Sequence, residues 1–366
     1  MEKVLTADAT LADRDPPLDV EILSIATAVP AHRISQQDVS DRAQRVFPNL
    51  ARLEGLYTNT GIDIRYSCEP APWYHEHRTW EEKTAAFKTH ALSLLEQVAA
   101  KATASAGLEI GDIDVVVVNT ITGLAVPSLD ALLMNRLPFR EDVERLPIFG
   151  FGCGGGVAGL SRAAQLARAR SGANVLFLTV DLCSLCLRVN DQSLVMFVAT
   201  ALFGDGAAGV VLRARGTSET AGLSGGGRIA AVGEHFWRMT EHIMGWDIKG
   251  DGFGVVLSPD LPSLLRERLR PAIEAFLARK GMTLEELDGF LFHPGGRKLL
   301  EGIETIFGLS RDDLAHSWGI LRDYGNVSSA TALFVLERAL ASGAKGRHLL
   351  SAFGPGFSAY FAVVDL

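Results

Sequence analysis

Short apolar runs alternate with longer helical segments through most of the chain. The apolar runs at residues 20–30, 114–119 and 174–182 are typical of buried strands, and residues 81–106 and 159–170 between them have the character of helices. Strands that alternate with helices predict a layered α/β fold, because each helix buries its apolar stripe against a sheet.

The second half of the chain repeats this order after a glycine-rich break at residues 222–227. In each half a Gly-flanked residue, Cys153 or Asn326, precedes a helix rich in small residues, so the two helix N-termini are expected to meet at one site. We predict a duplicated fold layered helix, sheet, helix, sheet, helix, with halves at 19–221 and 222–366 after a flexible extension at 1–18. The predicted elements of the second half are 228–236, 265–280, 289–293, 330–341 and 348–353.

The composition is that of an ordinary globular protein. Of 366 residues, 48% are hydrophobic and 21% are charged, and the net charge of −8 argues against nucleic-acid binding. Charge, glycine or proline interrupts every apolar stretch before the roughly 18–20 residues that a membrane-spanning helix needs. The first residues lack the basic and apolar regions of a secretory signal. We therefore expect a cytoplasmic protein with no membrane insertion.

The four cysteines are too few for a disulfide framework in a chain of this size. Cys183 and Cys186 form a C-x-x-C pair, but no second pair or nearby histidine completes a zinc site. We expect them in the wall of a pocket or core. No metal, nucleotide or flavin motif is present in the sequence, so no cofactor is expected.

Cys153 is the candidate nucleophile. It lies in Phe-Gly-Cys-Gly-Gly-Gly directly ahead of a predicted helix. The positive end of a helix stabilises a thiolate, so this position predicts a pKa lowered toward neutrality. The four glycines around it indicate close approach of backbone or substrate. The alternative is a buried structural cysteine on a tight turn.

His293 and Asn326 are the candidate partners of this thiol. His293 ends an apolar strand and precedes Pro-Gly-Gly, which would direct its imidazole into a crevice. The side-chain amide of Asn326 can donate a hydrogen bond to a developing oxyanion. The alternatives are a structural histidine and an ordinary helix cap.

In order and combination, six segments of this chain resemble the type III polyketide synthases, the chalcone-synthase-like enzymes of the thiolase fold. The resemblance covers residues 20–366. The segments that carry it are 152–156 (GCGGG), 201–208 (ALFGDGAA), 252–253 (GF), 293–296 (HPGG), 325–329 (GNVSS) and 353–356 (FGPG).

The resemblance implies that Cys153 carries an acyl chain as a thioester while His293 and Asn326 bind the malonyl-CoA thioester carbonyl. It implies that Phe203 is a gatekeeper between a CoA tunnel and a cavity, and that Phe253 lines the cavity. Acyl-CoA and malonyl-CoA would be the substrates, and the protein would be a homodimer. Further substrate-binding positions follow by the same match: Thr122, Cys183 and Cys186, Val126 at a position contributed across the dimer, Gly354 and Pro355 in a loop that lacks one family glycine, and Arg52 at the CoA entrance.

Other basic residues of the family's CoA entrance are replaced here by Gly55 and Asn59. Arg65 and Arg297 are candidates to compensate, against the alternative that both are solvated surface arginines. The side chains of Cys183 and Cys186 predict a tunnel for a long aliphatic starter, as in bacterial relatives that make alkylresorcinols and alkylpyrones.

Three other functions compete with this interpretation of the sequence. A β-ketoacyl carrier-protein synthase III would use the same three residue types for a single condensation. A degradative thiolase needs a second catalytic cysteine near the C-terminus, and none follows Cys186. A non-catalytic acyl-CoA or lipid-binding protein would keep the fold without turnover.

Overall fold

The computed structural model describes residues 18–53, 55–214 and 226–366. The predicted extension at 1–18 lies outside these ranges except for Leu18. The predicted boundary between the halves, at 221/222, also lies outside them. Both remain predictions.

The described ranges contain thirteen strands and ten helices. The strands are β1 (Val20–Ala28), β2 (His32–Ser35), β3 (Ile64–Ser67), β4 (Val115–Asn119), β5 (Glu144–Ile148), β6 (Asn174–Leu182), β7 (Asp205–Ala214), β8 (Arg228–Phe236), β9 (Met244–Lys249), β10 (Gly252–Leu257), β11 (Gly289–Phe292), β12 (Arg347–Gly354) and β13 (Ser358–Asp365). The helices are α1 (Gln36–Val46), α2 (Gly55–Thr58), α3 (Trp80–Ser105), α4 (Leu129–Met134), α5 (Gly155–Ala169), α6 (Leu194–Leu202), α7 (Leu261–Arg279), α8 (Arg297–Phe307), α9 (Ala315–Tyr324) and α10 (Thr331–Ala341).

Most predicted elements are present with small changes at their ends. The helix predicted from residue 159 begins at Gly155, because the glycines after Cys153 already adopt helical geometry. The helix predicted from residue 265 begins at Leu261, with a proline in its first turn, where a missing N–H costs no intrahelical hydrogen bond. The β9–β10 hairpin was not predicted.

The nine main strands pair in the order β11-β12-β13-β8-β1-β7-β6-β4-β5. Within the described ranges, the strands of the first half and those of the second meet where β1 pairs with β8, at Val20 with Ile229 and Glu21 with Arg228. Backbone hydrogen bonds from Leu18 to Ala230 and from Ile22 to Gly227 extend this junction. The two halves of the sheet therefore meet along a short seam, as expected for a duplicated fold.

Strand side chains alternate between two cores, which defines the layers. Val115 and Val117 of β4 join a core that contains α5 and α10, whereas Val116 and Val118 join a core that contains α3. On the other side, strands β12 and β13 share a third core with α7 and α8. The predicted helix, sheet, helix, sheet, helix layering is confirmed.

Helices α5 and α10 form the central layer, and their N-termini approach each other closely. A Cβ at Gly156 would overlap the carbonyl oxygen of Ser329 in the turn before α10. Only glycine fits this contact, which brings the turn holding Cys153 and the loop holding Asn326 to the same place.

We predict that Gly156→Ala destabilises the protein by about 1–3 kcal/mol, because the added methyl group overpacks this contact. Gly302→Ala is the matched control, since a Cβ on this residue of α8 meets nothing within 4 Å. It should stabilise the protein by about 0.5–1 kcal/mol through helix propensity. Urea unfolding of both variants measures the two changes, and equal effects of the same sign would contradict the packing argument.

Candidate active site

Cys153 lies in the 3₁₀ turn Gly152–Gly154 that leads into α5. Gly152 has a φ of 53°, and a Cβ there would contact Pro355, so the turn requires glycine. Cys153 is 8% exposed and lines a cavity of about 420 Å³, which we call the main cavity. His293 and Asn326 line the same cavity. The structure thus brings together the three residues selected from the sequence.

The amide of Asn326 is held in one orientation. Its Oδ1 accepts a hydrogen bond from the backbone N–H of Ser328 at 2.8 Å, and its Nδ2 donates to the carbonyl of Gly295 at 3.3 Å. Because Nδ2 carries two hydrogens, its second N–H can donate to the Cys153 sulfur, or to a ligand that takes the place of the thiol as acceptor. Ser328 has a φ of 50°, an uncommon conformation for a residue with a Cβ.

His293 follows β11 directly, and its backbone N–H donates to the carbonyl of Ser351 at 2.8 Å. The imidazole is 2% exposed, and its Nδ1 has no hydrogen-bond partner among the described residues. Burial lowers the pKa of His293 to about 3. The ring is therefore neutral at physiological pH, with one unprotonated nitrogen.

The predicted lowering of the Cys153 pKa is wrong. Burial raises the pKa of this thiol to about 11, hydrogen bonding to Ser328 and Asn326 opposes the rise, and the charge of Asp181 adds to it. The cost of removing a thiolate from water outweighs the stabilisation expected from the helix N-terminus. At neutral pH the site holds a thiol and a neutral imidazole, so nucleophilic attack requires proton transfer to a base.

A second cavity of about 120 Å³, the side cavity, adjoins the main one and is lined mostly by apolar side chains. Phe203, Cys183, Trp246 and Val255 line both cavities, which places them at the junction. Cys186 lines the side cavity, and Pro355 lines the main cavity.

Phe253 lines neither cavity, contrary to the prediction. It is 5% exposed and packs between Trp80 and Trp246, with ring centroids 5.1 and 5.7 Å away. Val255 and Val256 of the same strand, β10, line the main cavity instead. The side chains that β10 contributes to the cavity wall are therefore smaller than a phenylalanine ring.

Four other predicted substrate-binding residues lie outside both cavities in the described chain. Thr122 is buried and structural: its Oγ1 accepts from the backbone N–H of Leu182 at 2.8 Å. Gly354 ends β12, where a Cβ would overlap the carbonyl oxygen of Phe151. Arg52 is exposed. Val126 is 100% exposed.

Arg65 has a structural role and is buried in the wall of the side cavity, where the alternative of a solvated surface arginine does not hold. It is 4% exposed, and its Nη1 donates to the carbonyls of Thr200 and Phe203 at 2.8 and 3.0 Å. Its Nη2 donates to the carbonyl of Ala201 at 2.7 Å. These bonds satisfy the free carbonyls at the C-terminus of α6 and fix the position of Phe203. Arg297 lines the main cavity and pairs with Glu301 at 2.6 Å.

Sequence reasoning missed the importance of Asp181 and Ser328. The Asp181 carboxylate accepts hydrogen bonds from the backbone N–H groups of Ile121 and Ser329, at 2.8 and 2.9 Å, and from the Ser329 hydroxyl at 2.5 Å. Ser328 lines the main cavity and hydrogen-bonds Cys153. The sequence did offer a signal for Asp181, because it is an acidic residue near the end of the apolar run 174–182.

In the described ranges, no group of three or more His, Cys, Asp or Glu side chains could hold a metal ion. Nor does any described helix combine the length and hydropathy needed to cross a membrane.

Comparisons with known proteins give a consistent result. Family models described as chalcone and stilbene synthases match twice, the N-terminal domain over residues 17–216 and the C-terminal domain over residues 229–364. The chain is 38% identical to a 1,3,6,8-tetrahydroxynaphthalene synthase of Streptomyces peucetius subsp. caesius, with 98% of this chain and 97% of the relative covered. It is 31% identical to a phloroglucinol synthase of Pseudomonas fluorescens, with 91% of this chain and 95% of the relative covered.

Solved structures agree with the sequence comparisons. The crystal structure of the 1,3,6,8-tetrahydroxynaphthalene synthase of Streptomyces coelicolor A3(2), a bacterial type III polyketide synthase, superposes with a TM-score of 0.88. It is 29% identical in sequence, and the match covers 94% of this chain and 99% of that one.

We predict that alkylation of Cys153 by iodoacetamide accelerates about tenfold per pH unit up to about pH 10, because only the thiolate reacts. The rate is read from the mass of the peptide that contains Cys153, which separates it from the other three cysteines. A plateau below pH 8 would contradict the raised pKa and indicate a preformed thiolate–imidazolium pair.

Proposed function

The chain belongs to the chalcone and stilbene synthase family and is a type III polyketide synthase, an acyltransferase that condenses malonyl-CoA units iteratively, and we propose that Cys153, His293 and Asn326 perform its chemistry. The observation that carries this assignment is their convergence on one buried cavity. CoA thioesters are the proposed substrates.

In the proposed loading step, neutral His293 accepts the proton of the Cys153 thiol as sulfur attacks the acyl-CoA carbonyl. The carbon–sulfur bond to CoA breaks, and the departing CoA thiolate takes the proton from the imidazolium. The raised pKa of Cys153 makes this transfer necessary, since little thiolate exists beforehand.

In the proposed extension step, the malonyl thioester carbonyl accepts hydrogen bonds from the second Nδ2–H of Asn326, which no longer faces a thiol once Cys153 is acylated, and from an N–H of His293. Carbon dioxide leaves, and its bonding electrons form an enolate whose negative oxygen these donors stabilise. The enolate carbon attacks the Cys153 thioester and displaces the thiolate. Loading uses the imidazole tautomer with an unprotonated nitrogen toward the cavity, and extension uses the other tautomer.

The finer proposal is a fatty acyl starter that is extended and cyclised to an alkylpyrone or resorcinol. The side cavity supports it, because apolar space lies beyond Cys183 and Cys186 as an alkyl chain requires.

A second candidate is assembly of an aromatic polyol from malonyl units alone. The relatives named above favour it, since tetrahydroxynaphthalene and phloroglucinol are hydroxylated rings without an alkyl substituent. Family membership favours both candidates over a synthase III with a single condensation. A non-catalytic binding protein would show no turnover with any starter.

A homodimer and a cytoplasmic location remain part of the proposal. Val126 is fully exposed in the single chain beside Leu124, which is 46% exposed. Apolar side chains grouped in this way indicate a contact surface. We expect this loop to face a second copy of the chain, with Arg52 at the CoA entrance.

We predict that Cys153→Ala abolishes polyketide formation yet retains decarboxylation of malonyl-CoA to acetyl-CoA, because loss of carbon dioxide needs oxyanion stabilisation and no nucleophile. Asn326→Ala should slow decarboxylation about 10²–10³-fold. Chromatography of the CoA esters measures both. If Asn326→Ala and the wild-type enzyme decarboxylate malonyl-CoA at the same rate, the role of Asn326 in stabilising the enolate oxygen is refuted.

A second prediction separates the two product classes. The unmodified enzyme, given malonyl-CoA and a graded series of acyl-CoA starters, should yield alkylpyrones or resorcinols by mass spectrometry. Cys183→Phe should shift the preference to shorter starters by closing the junction, whereas the near-isosteric Cys183→Ser should keep the profile. Alkyl-free polyols as the sole product in every reaction would select the second candidate.

A further inference from the structure

A serine bonded to a buried carboxylate lies in the wall of the side cavity. Ser184 belongs to the 3₁₀ turn Cys183–Cys186, is half-buried and lines this cavity. Its Oγ donates to Oδ2 of Asp205 at 2.5 Å, and its backbone N–H donates to Oδ1 of the same carboxylate at 2.8 Å. Asp205 itself is fully buried. Two bonds to one carboxylate fix Ser184 in a single orientation, with its hydroxyl hydrogen directed at Asp205.

The neighbouring hydroxyl of Tyr74 determines what Ser184 can offer to a ligand. It lies 2.7 Å from the Ser184 Oγ and accepts the backbone N–H of Glu69 at 3.1 Å. Burial raises the pKa of Asp205 to about 6, so at about pH 8 this carboxylate is ionised and accepts the Ser184 hydrogen. Tyr74 must then donate to Ser184, whose oxygen keeps one lone pair. The Cys68 thiol, at 3.6 Å, is only a weak donor to it, so a ligand O–H can compete successfully.

Other polar groups in the lining of the side cavity also direct their hydrogens into the protein. Ser67 donates from its Oγ to the carbonyl of Glu69 at 2.8 Å, and Thr200 donates from its Oγ1 to the carbonyl of Phe197 at 2.7 Å. The Nη groups of Arg65 donate to four protein oxygens. Its Nε is buried and has no partner among the described residues. The hydroxyl groups of this wall therefore present lone pairs and not hydrogens to a ligand.

We propose that the side cavity selects acyl starters that carry a hydroxyl group, and that Ser184 accepts the hydrogen of this hydroxyl. The inference rests on the proposed function, since it requires the acyl chain to enter the side cavity. The charge of Asp205 polarises the Ser184 O–H bond and makes its oxygen a stronger acceptor than an ordinary serine. An unsubstituted chain would shield this oxygen from solvent without bonding it, which is unfavourable. Because Ser184 directly follows the junction residue Cys183, only particular hydroxyl positions along the chain are expected to match.

The test is direct binding to the Cys153→Ala protein, which does not depend on condensation. Isothermal titration calorimetry at about pH 8, where Asp205 is ionised, compares an acyl-CoA with isomers of the same chain length that carry a hydroxyl at successive carbons. We expect at least one isomer to bind more tightly than the unsubstituted compound. Adding Ser184→Ala should lower this preference about three- to tenfold, as expected for the loss of one hydrogen bond.

Ser67→Ala is the matched control, because Ser67 lines the same cavity and its hydroxyl bonds a neutral carbonyl. It should leave the preference unchanged, and circular dichroism checks that both variants are folded. The inference is overturned if no hydroxylated isomer binds more tightly than the unsubstituted compound, a comparison that needs no change at Ser184. It is also overturned if Ser184→Ala keeps the preference or if Ser67→Ala lowers it equally. Failure of the unmodified enzyme to extend any acyl starter would instead contradict the proposed fatty acyl function.

Discussion

The buried carboxylate of Asp181 ties the two halves of the chain together beside Cys153. It accepts hydrogen bonds from Ile121, which follows β4 in the first half, and from Ser329, which precedes α10 in the second. A buried carboxylate is costly unless such bonds satisfy it, so the two halves are constrained to meet in this register. Asn326 and Ser328 are thereby placed against the turn that holds Cys153.

Burial of the side chains shapes the chemistry of the same site. Burial raises the pKa of Cys153 and lowers that of His293, so both groups are uncharged at rest. In the proposed mechanism, charge develops only when substrate is present, as a thiolate during loading and as an enolate oxygen during extension. In the same proposed mechanism, fixed donors such as the Asn326 amide stabilise the enolate oxygen without having to reorganise as it forms.

Local signals in the sequence were enough to select the three residues that line the main cavity together. Cys153, His293 and Asn326 each adjoin glycines that mark the end of a strand or the start of a helix, and the duplicated order of elements predicts that they meet. Long-range contacts were not accessible in this way. Arg65 resembles a surface arginine in sequence, yet it binds carbonyls more than 130 residues away at the end of α6. The β9–β10 hairpin likewise determines that valines and not Phe253 face the cavity. The pKa of Cys153 was misjudged because a helix N-terminus is visible in the sequence and the extent of burial is not.

The central claim is that Cys153 holds a chain that grows by successive condensations. Its most direct test is time-resolved mass spectrometry of the peptide containing Cys153 after the enzyme is mixed with an acyl-CoA starter and malonyl-CoA. The account predicts an acylated peptide followed by a series of heavier species, each longer by one two-carbon ketone unit, on Cys153 alone. Acylation of a different cysteine, or product formation without any extended species on Cys153, would contradict it.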